Sequence, residues 1–263
     1  MISHITGNSD RSAFLSTMIL MRWPSYEPHH RCGYLAAMNL LLLHGALGSA
    51  RQLQRLKERM GGIAIDLTGH GGREIPEGGL TFDHFLADID RAFTEHKWKS
   101  AHLFGYSMGG YAALLYAAKH PERVESVVTI GTKLLWTDDG LQKELRKLDP
   151  DMMEAKVPAF ASALAEVHGP DRWRDVVHAI AKSMSELAAS PLLGQEVCDR
   201  IQCHVLLCVG DGDTTAVPHD TRIFCSGLKR ANVEVLRNTR HPFEEVDLNA
   251  LEKVLEGFWG LAR

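Results

Sequence analysis

Three short stretches carry side chains able to activate an alcohol. Residues 103–110 read LFGYSMGG, placing Ser107 between Gly105 and Gly109, after an apolar run and ahead of the helix-forming YAALLYAAKH. A serine hydroxyl is a weak nucleophile until a base takes its proton. His241, in RHPFEEV, stands ahead of the closing helical stretch on a turn rigidified by Pro242. An imidazole used in this way needs a carboxylate to fix its tautomer and stabilise the imidazolium. VGDGDTTAVP offers two. Asp213 lies farther out of the preceding apolar run and leads into Val217 and Pro218, so it is the first choice. Asp211 is the alternative, with a plainer reading as a turn residue. The developing oxyanion would need preorganised donors: the N–H of Met108, at a helix N-terminus, and that of Ala46, in the glycine-rich HGALGS. His219 is the nearest rival base but lies close to the candidate acid in sequence. His84 and His96 fall on the polar side or end of a helix, and His178 falls in a helical stretch.

These residues need a scaffold that delivers them to one place. From Asn39 onward apolar runs alternate with amphipathic stretches, which predicts a mostly parallel sheet flanked by helices, the α/β class. The predicted strands are NLLLLH, GIAIDL, AHLFGY, SVVTIG, HVLLCVG and VEVLR. The predicted helices are SARQLQRLKERM, TFDHFLADIDRAFTEHK with Phe82, Phe85, Leu86, Ile89 and Phe93 on one face, the run after Ser107, DTRIFCSGL, and a closing helix from Val246 to Leu261. Residues 133–201 contain no strand-like run. They read as a helical cap inserted between a core of 38–132 and 202–263, with GLQKELRKL, a stretch interrupted near Pro158, and DRWRDVVHAIAKSMSELAA as its helices. In that cap Lys133, Trp136, Met152, Met153 and Phe160 are expected to line an apolar acyl pocket. Residues 1–37 fit the plan poorly and read as an extension or an antiparallel edge hairpin.

At 263 residues the chain can bury a sizeable core, and 29 Lys+Arg against 33 Asp+Glu give a net charge of −4. That balance argues against a nucleic-acid or acidic-membrane partner and for a small-molecule one. No run is long enough to span a bilayer. The apolar AFLSTMILM lacks a small-residue cleavage site after it. Five cysteines without C-x-x-C spacing suit a reducing compartment, and the expectation is cytoplasmic. Cys203 and Cys208 flank an apolar run and read as buried thiols. His29 and His30 near Cys32 read as a surface turn, and no metal is expected. The sequence carries no reading of oligomeric state.

The order Ser107, Asp213, His241, together with His44-Gly45, DLTGHG at 66–71 and GYSMGG, resembles the α/β-hydrolase superfamily from about residue 39 to the end. The resemblance implies a serine-triad hydrolase with a helical cap and no cofactor, in which His70 of DLTGHG is structural. HGALGS and GYSMGG are similar to the menaquinone-pathway synthases and the meta-cleavage carbon–carbon hydrolases. However, Tyr111 stands where the former typically have arginine, and Pro242-Phe243 follows the histidine where the latter typically have tryptophan. Haloalkane dehalogenases have aspartate at the position of Ser107. The expected activity is hydrolysis of a small carboxylic ester or related acyl substrate through an acyl-enzyme. The alternatives are a lyase or carbon–carbon bond hydrolase using the same triad, and a non-catalytic ligand-binding relative.

Overall fold

The computed structural model describes residues 38–261. The expectations for residues 1–37, including His29, His30, Cys32 and the apolar run near the start, lie outside them. Six strands form one parallel sheet: β1 (Leu40–Leu43), β2 (Ile63–Ile65), β3 (Ala101–Tyr106), β4 (Val124–Ile130), β5 (His204–Gly210) and β6 (Ala231–Leu236), in the order β2-β1-β3-β4-β5-β6. β1 and β3 are buried along their whole length, which is why they read as continuous apolar runs. Alternation along β1 sends Leu41 and Leu43 into the core on one face and Leu40 and Leu42 into the core on the other. β2 is shorter than GIAIDL because Asp66 leaves the strand: its Oδ1 accepts the Ala50 N–H (2.6 Å) and its carbonyl accepts from Arg73 (2.5 Å).

Helices cover both faces. A 3-10 turn (Ala50–Leu53), α1 (Gln54–Met60) and the closing α10 (Leu248–Leu261) bury Leu56, Met60, Leu251 and Leu255 against one face. On the other face lie α2 (Phe82–Glu95), with Phe82, Phe85, Leu86, Ile89 and Phe93 buried, and α3 (Met108–Lys119), buried from Gly109 to Ala118, with α9 (Pro218–Ser226) farther along. α3 is apolar all round, as a helix enclosed by the core must be. α10 starts at Leu248 rather than at Val246 because the Asp247 carboxylate accepts the N–H groups of Asn249 (2.9 Å) and Ala250 (3.3 Å) and so caps the helix there.

Between β4 and β5 the chain forms α4 (Asp138–Leu145), α5 (Pro150–Lys156), α6 (Pro158–His168), α7 (Trp173–Ala189) and the four-residue α8 (Gln195–Cys198). Pro150 and Pro158 open their helices, where a missing N–H costs nothing. Met153, Ala161, Leu164, Trp173 and Val177 give this insertion a small core of its own.

The chain runs from β1 outward to β2, then returns past β1 to β3, so the strand order reverses between β1 and β3. In open parallel sheets the crevice at such a reversal is where ligands bind. Leu43, the last residue of β1, pairs with Gly105 near the end of β3. The loop that follows each strand therefore leaves at the same level. The approach of α3 to this edge leaves no room for side chains. A Cβ on Gly105 would strike the Gly110 nitrogen and the Gly109 carbonyl carbon, and one on Gly109 would strike the Leu43 carbonyl. Gly105→Ala is expected to lower the unfolding free energy by about 3 kcal/mol. Urea denaturation reads this, and an undiminished midpoint would contradict the backbone contact.

Candidate active site

Ser107 occupies the single residue between β3 and α3, with φ 50° and ψ −114°. Such a backbone conformation costs a non-glycine residue roughly 1–3 kcal/mol. Local bonds hold it: the Ser107 N–H donates to the Ile130 carbonyl (2.9 Å), and its own carbonyl accepts from Gly110 N–H (3.0 Å) and Thr132 Oγ1 (3.0 Å). The turn lifts the hydroxyl off the end of the sheet. There Ser107 Oγ lies 3.4 Å from His241 Nε2, and His241 Nδ1 lies 2.8 Å from Asp213 Oδ2.

Hydrogen bonding assigns the proton positions in this chain. Asp213 is buried, and its Oδ1 accepts the N–H groups of Thr215 (2.8 Å) and Ala216 (2.9 Å). With Oδ1 taken by those two donors, Oδ2 accepts from His241 Nδ1–H and leaves Nε2 as an acceptor for the serine hydroxyl. A 3.4 Å separation is long for a hydrogen bond but ordinary for such a pair before substrate arrives. Asp211 serves elsewhere: its Oδ1 accepts the Thr239 N–H (3.2 Å), tying the loop that carries His241 to the loop that carries Asp213. Tyr106 Oη donates to the His241 carbonyl (3.0 Å), holding the histidine's backbone from below. His219 and His178 are exposed, whereas His84 contributes to the N-terminal capping box of α2.

The loop after β1 brings Ala46 to the same place. His44 is fully buried; its Nε2 accepts the Leu67 N–H (3.0 Å) and its Nδ1 donates to the Gly45 carbonyl (2.8 Å). Gly45 N–H donates to Gln52 Oε1 (3.1 Å), and Gly48 N–H closes back on the Gly45 carbonyl (3.1 Å). Gln52 carries no signal in the sequence, and His44 enters it only within the His44-Gly45 motif; their bonds to the loop backbone are what assign them a positioning role. The N–H of Met108 opens α3, where first-turn donors have no intrahelical acceptor.

Above Ser107 lies a cavity of about 880 Å³. Ala46, Met108 and His241 form its floor, and Trp136, Phe160 and Met184 of the insertion enclose it; Lys133 also lines it. Met152 is turned to solvent and does not line it, because on α5 its neighbour Met153 takes the inward position. Three insertion lysines hold the loop that follows Asp213: Lys133 and Lys143 donate to the carbonyls of Thr215 (3.1 Å) and Thr214 (3.4 Å), and Lys147 to Thr215 Oγ1 (3.2 Å). His168, at the end of α6, donates from Nε2 to the Leu47 carbonyl (3.0 Å) and accepts the Gly71 N–H at Nδ1 (3.2 Å). The insertion is therefore bonded to both sides of the crevice. Cys203 and Cys208 are buried thiols whose pKa is raised by that burial. Among the described residues, no group of three or more His, Cys, Asp or Glu is placed to hold a metal ion, and no helix is long and apolar enough to cross a membrane.

Residues 39–190 match the family model described as alpha/beta hydrolase fold. The chain belongs to this family. It is similar to the Serine hydrolase-like protein of Danio rerio, 40% identical over 72 residues that make up 27% of this chain and 22% of that protein. It is also similar to Serine hydrolase BPHL of Mus musculus, 24% identical over 232 residues, 83% of this chain and 78% of that one. The first of these alignments thus spans only about a fifth of the relative. Among solved structures, NosK from Streptomyces actuosus superposes with a TM-score of 0.70 at 22% identity, covering 86% of this chain and 98% of that chain. This is a likeness of fold. Within the alpha/beta hydrolase frame, the elbow at Ser107 and the loops after β1, β5 and β6 all lie at the carboxyl ends of parallel strands, where such sheets hold their ligands.

The histidines under the site make stability depend on pH. Burial holds His44 at a pKa of about 4, and lowers those of His70 and His168 as well. His70 donates from Nδ1 to the Thr68 carbonyl (3.0 Å), while its Nε2 is buried with no hydrogen-bond partner. A folded chain that keeps these rings neutral cannot take up protons that the unfolded chain accepts near pH 6.5, so stability is full above that pH and falls toward pH 4. For His44 alone the loss is on the order of 3 kcal/mol. Circular dichroism melts are expected to show Tm falling between pH 6.5 and 4.5. A flat Tm across that window would contradict the burial of neutral histidine.

Proposed function

We propose that this protein is a serine hydrolase acting on a small carboxylic ester or related acyl substrate through an acyl-enzyme. The observation that carries the reading is the hydrogen-bonded chain Ser107–His241–Asp213, of which Ser107 and His241 line the cavity and Asp213 is buried behind the imidazole. In this mechanism Nε2 of His241 takes the Ser107 proton as Oγ attacks the substrate carbonyl, and the Nδ1–H bond to ionised Asp213 stabilises the imidazolium. The tetrahedral oxyanion is held by the N–H groups of Ala46 and Met108, at the positive end of α3. His241 then passes its proton to the departing alkoxide. Water attacks the acyl-enzyme with the same imidazole as base, and free acid leaves. The helical insertion of residues 133–201 acts as a cap over this reaction, with Trp136 and Phe160 against the acyl group and water largely excluded by their apolar surfaces. No cofactor enters these steps.

Hydrolysis of p-nitrophenyl butyrate tests the reading. Ser107→Ala and His241→Ala are each expected to lower kcat by about 10⁴- to 10⁶-fold, and Asp213→Asn by about 10⁴-fold. A Ser107→Ala protein that retains turnover would overturn it. Full activity in Asp213→Asn with loss in Asp211→Asn would transfer the acid's role to Asp211.

A further inference from the structure

We infer that the substrate carries a single carboxylate, bound by the ammonium of Lys133 inside the cavity above Ser107; this rests on the hydrolase reading above and narrows its substrate class. Five charged side chains reach the cavity wall: Lys133, Glu144, Lys147, Arg240 and Glu244. Four already have charged or polar side-chain partners. Lys147 pairs with Glu144 at 2.8 Å, Arg240 makes two bonds to Glu245 at 2.7 and 2.8 Å, and Glu244 accepts from Gln52 Nε2 at 3.2 Å.

Lys133 differs. Among the described residues its recorded partners are a backbone carbonyl, that of Thr215, and the face of the Trp136 ring, 5.2 Å from Nζ to the centroid. A carbonyl dipole and a ring quadrupole stabilise an ammonium but bring no countercharge. A lysine also has three N–H donors, so these two contacts leave donor capacity facing the cavity. Burial lowers the Lys133 pKa from its ordinary value, outweighing the opposite pull of Glu144 and Asp220. The cation is thus incompletely compensated, in a space otherwise walled mainly by apolar side chains such as Trp136, Met153, Phe160 and Met184.

The chemistry that completes such a site is one negative charge on an otherwise apolar molecule. A carboxylate would exchange its hydration for a charge-assisted hydrogen bond to Nζ. A phosphate dianion would bring a second charge with no cation left for it, beside Glu144 and Glu244. The position of Lys133 also ties recognition to reaction. It follows Gly131 and Thr132; Thr132 holds the Ser107 carbonyl, and a Cβ on Gly131 would touch Asp213 and His241 at 3.3 Å.

The test compares monomethyl adipate, with the acid on the acyl side, and butyryloxyacetate, with the acid on the alcohol side, against neutral methyl hexanoate. The wild type is expected to favour at least one of the anionic esters in kcat/KM. In Lys133→Met that preference is expected to fall by about tenfold to a hundredfold, mostly through KM, and Lys133→Arg is expected to recover part of it. Loss of the same factor on neutral and anionic esters, alongside a lowered Tm, would reduce Lys133 to a structural tie and overturn the inference. So would a wild type that hydrolyses methyl hexanoate as well as either acid, an outcome that leaves the hydrolase reading intact. Calorimetric binding of monomethyl adipate and butyryloxyacetate to Ser107→Ala reads the same site without turnover. At least one should bind more tightly than methyl hexanoate, with the advantage lost when Lys133→Met is added. Equal affinity for the three esters would overturn the inference even if no ester is ever cleaved.

Discussion

The left-handed backbone of Ser107 is the constraint around which the site is built. A residue at φ 50° and ψ −114° does not relax to that conformation unaided. Here the strand before it is paired on both sides, the helix after it is buried, and glycines at 105, 109 and 110 let the two run so close that side chains at these positions would collide with backbone or with Thr132. The strain stays local because a buried sheet and a buried helix over-determine the turn. Its result is a hydroxyl held clear of the sheet, at the level where β1, β5 and β6 release their loops.

Those loops are fixed mainly by side chains that bond to backbone. His44 and Gln52 hold the loop of Ala46, Asp211 and Tyr106 hold the segment of His241, and three lysines hold the residues after Asp213. Donors and acceptors fixed in this way need little reorganisation when charge develops on a substrate oxygen, which is the condition for electrostatic stabilisation of a transition state. The same economy has a cost in acid, because His44 and His168 each donate from one ring nitrogen and accept at the other and so make both bonds only when neutral, and burial disfavours charge on His70.

The α/β class and the succession of strands along the chain were legible because parallel strands buried on two faces read as apolar runs, and the amphipathic face of α2 reads directly from Phe82, Phe85, Leu86, Ile89 and Phe93; the order of the strands across the sheet was not. Ser107, Asp213 and His241 could be singled out because each follows an apolar run in chain order. What escaped depends on bonds between distant residues. His168 meets partners 97 and 121 positions away, and nothing in its helix marks it. Met152 and Met153 are equivalent in composition, and the local set of α5 alone decides which faces inward. α8 is only four residues long and too short to show a period. Lys133 was legible as a pocket residue, but its lack of a carboxylate partner depends on ion pairs between distant residues that the sequence does not show.

The most direct measurement of the central claim is intact-protein and peptide mass spectrometry after treatment with a fluorophosphonate, which reacts with a serine only where a base and oxyanion donors activate it. One adduct per chain is expected, on the peptide containing Ser107, as is its loss in His241→Ala. A wild-type chain that stays unmodified, or an adduct on a different serine, would contradict the convergence of these three side chains on an activated alcohol.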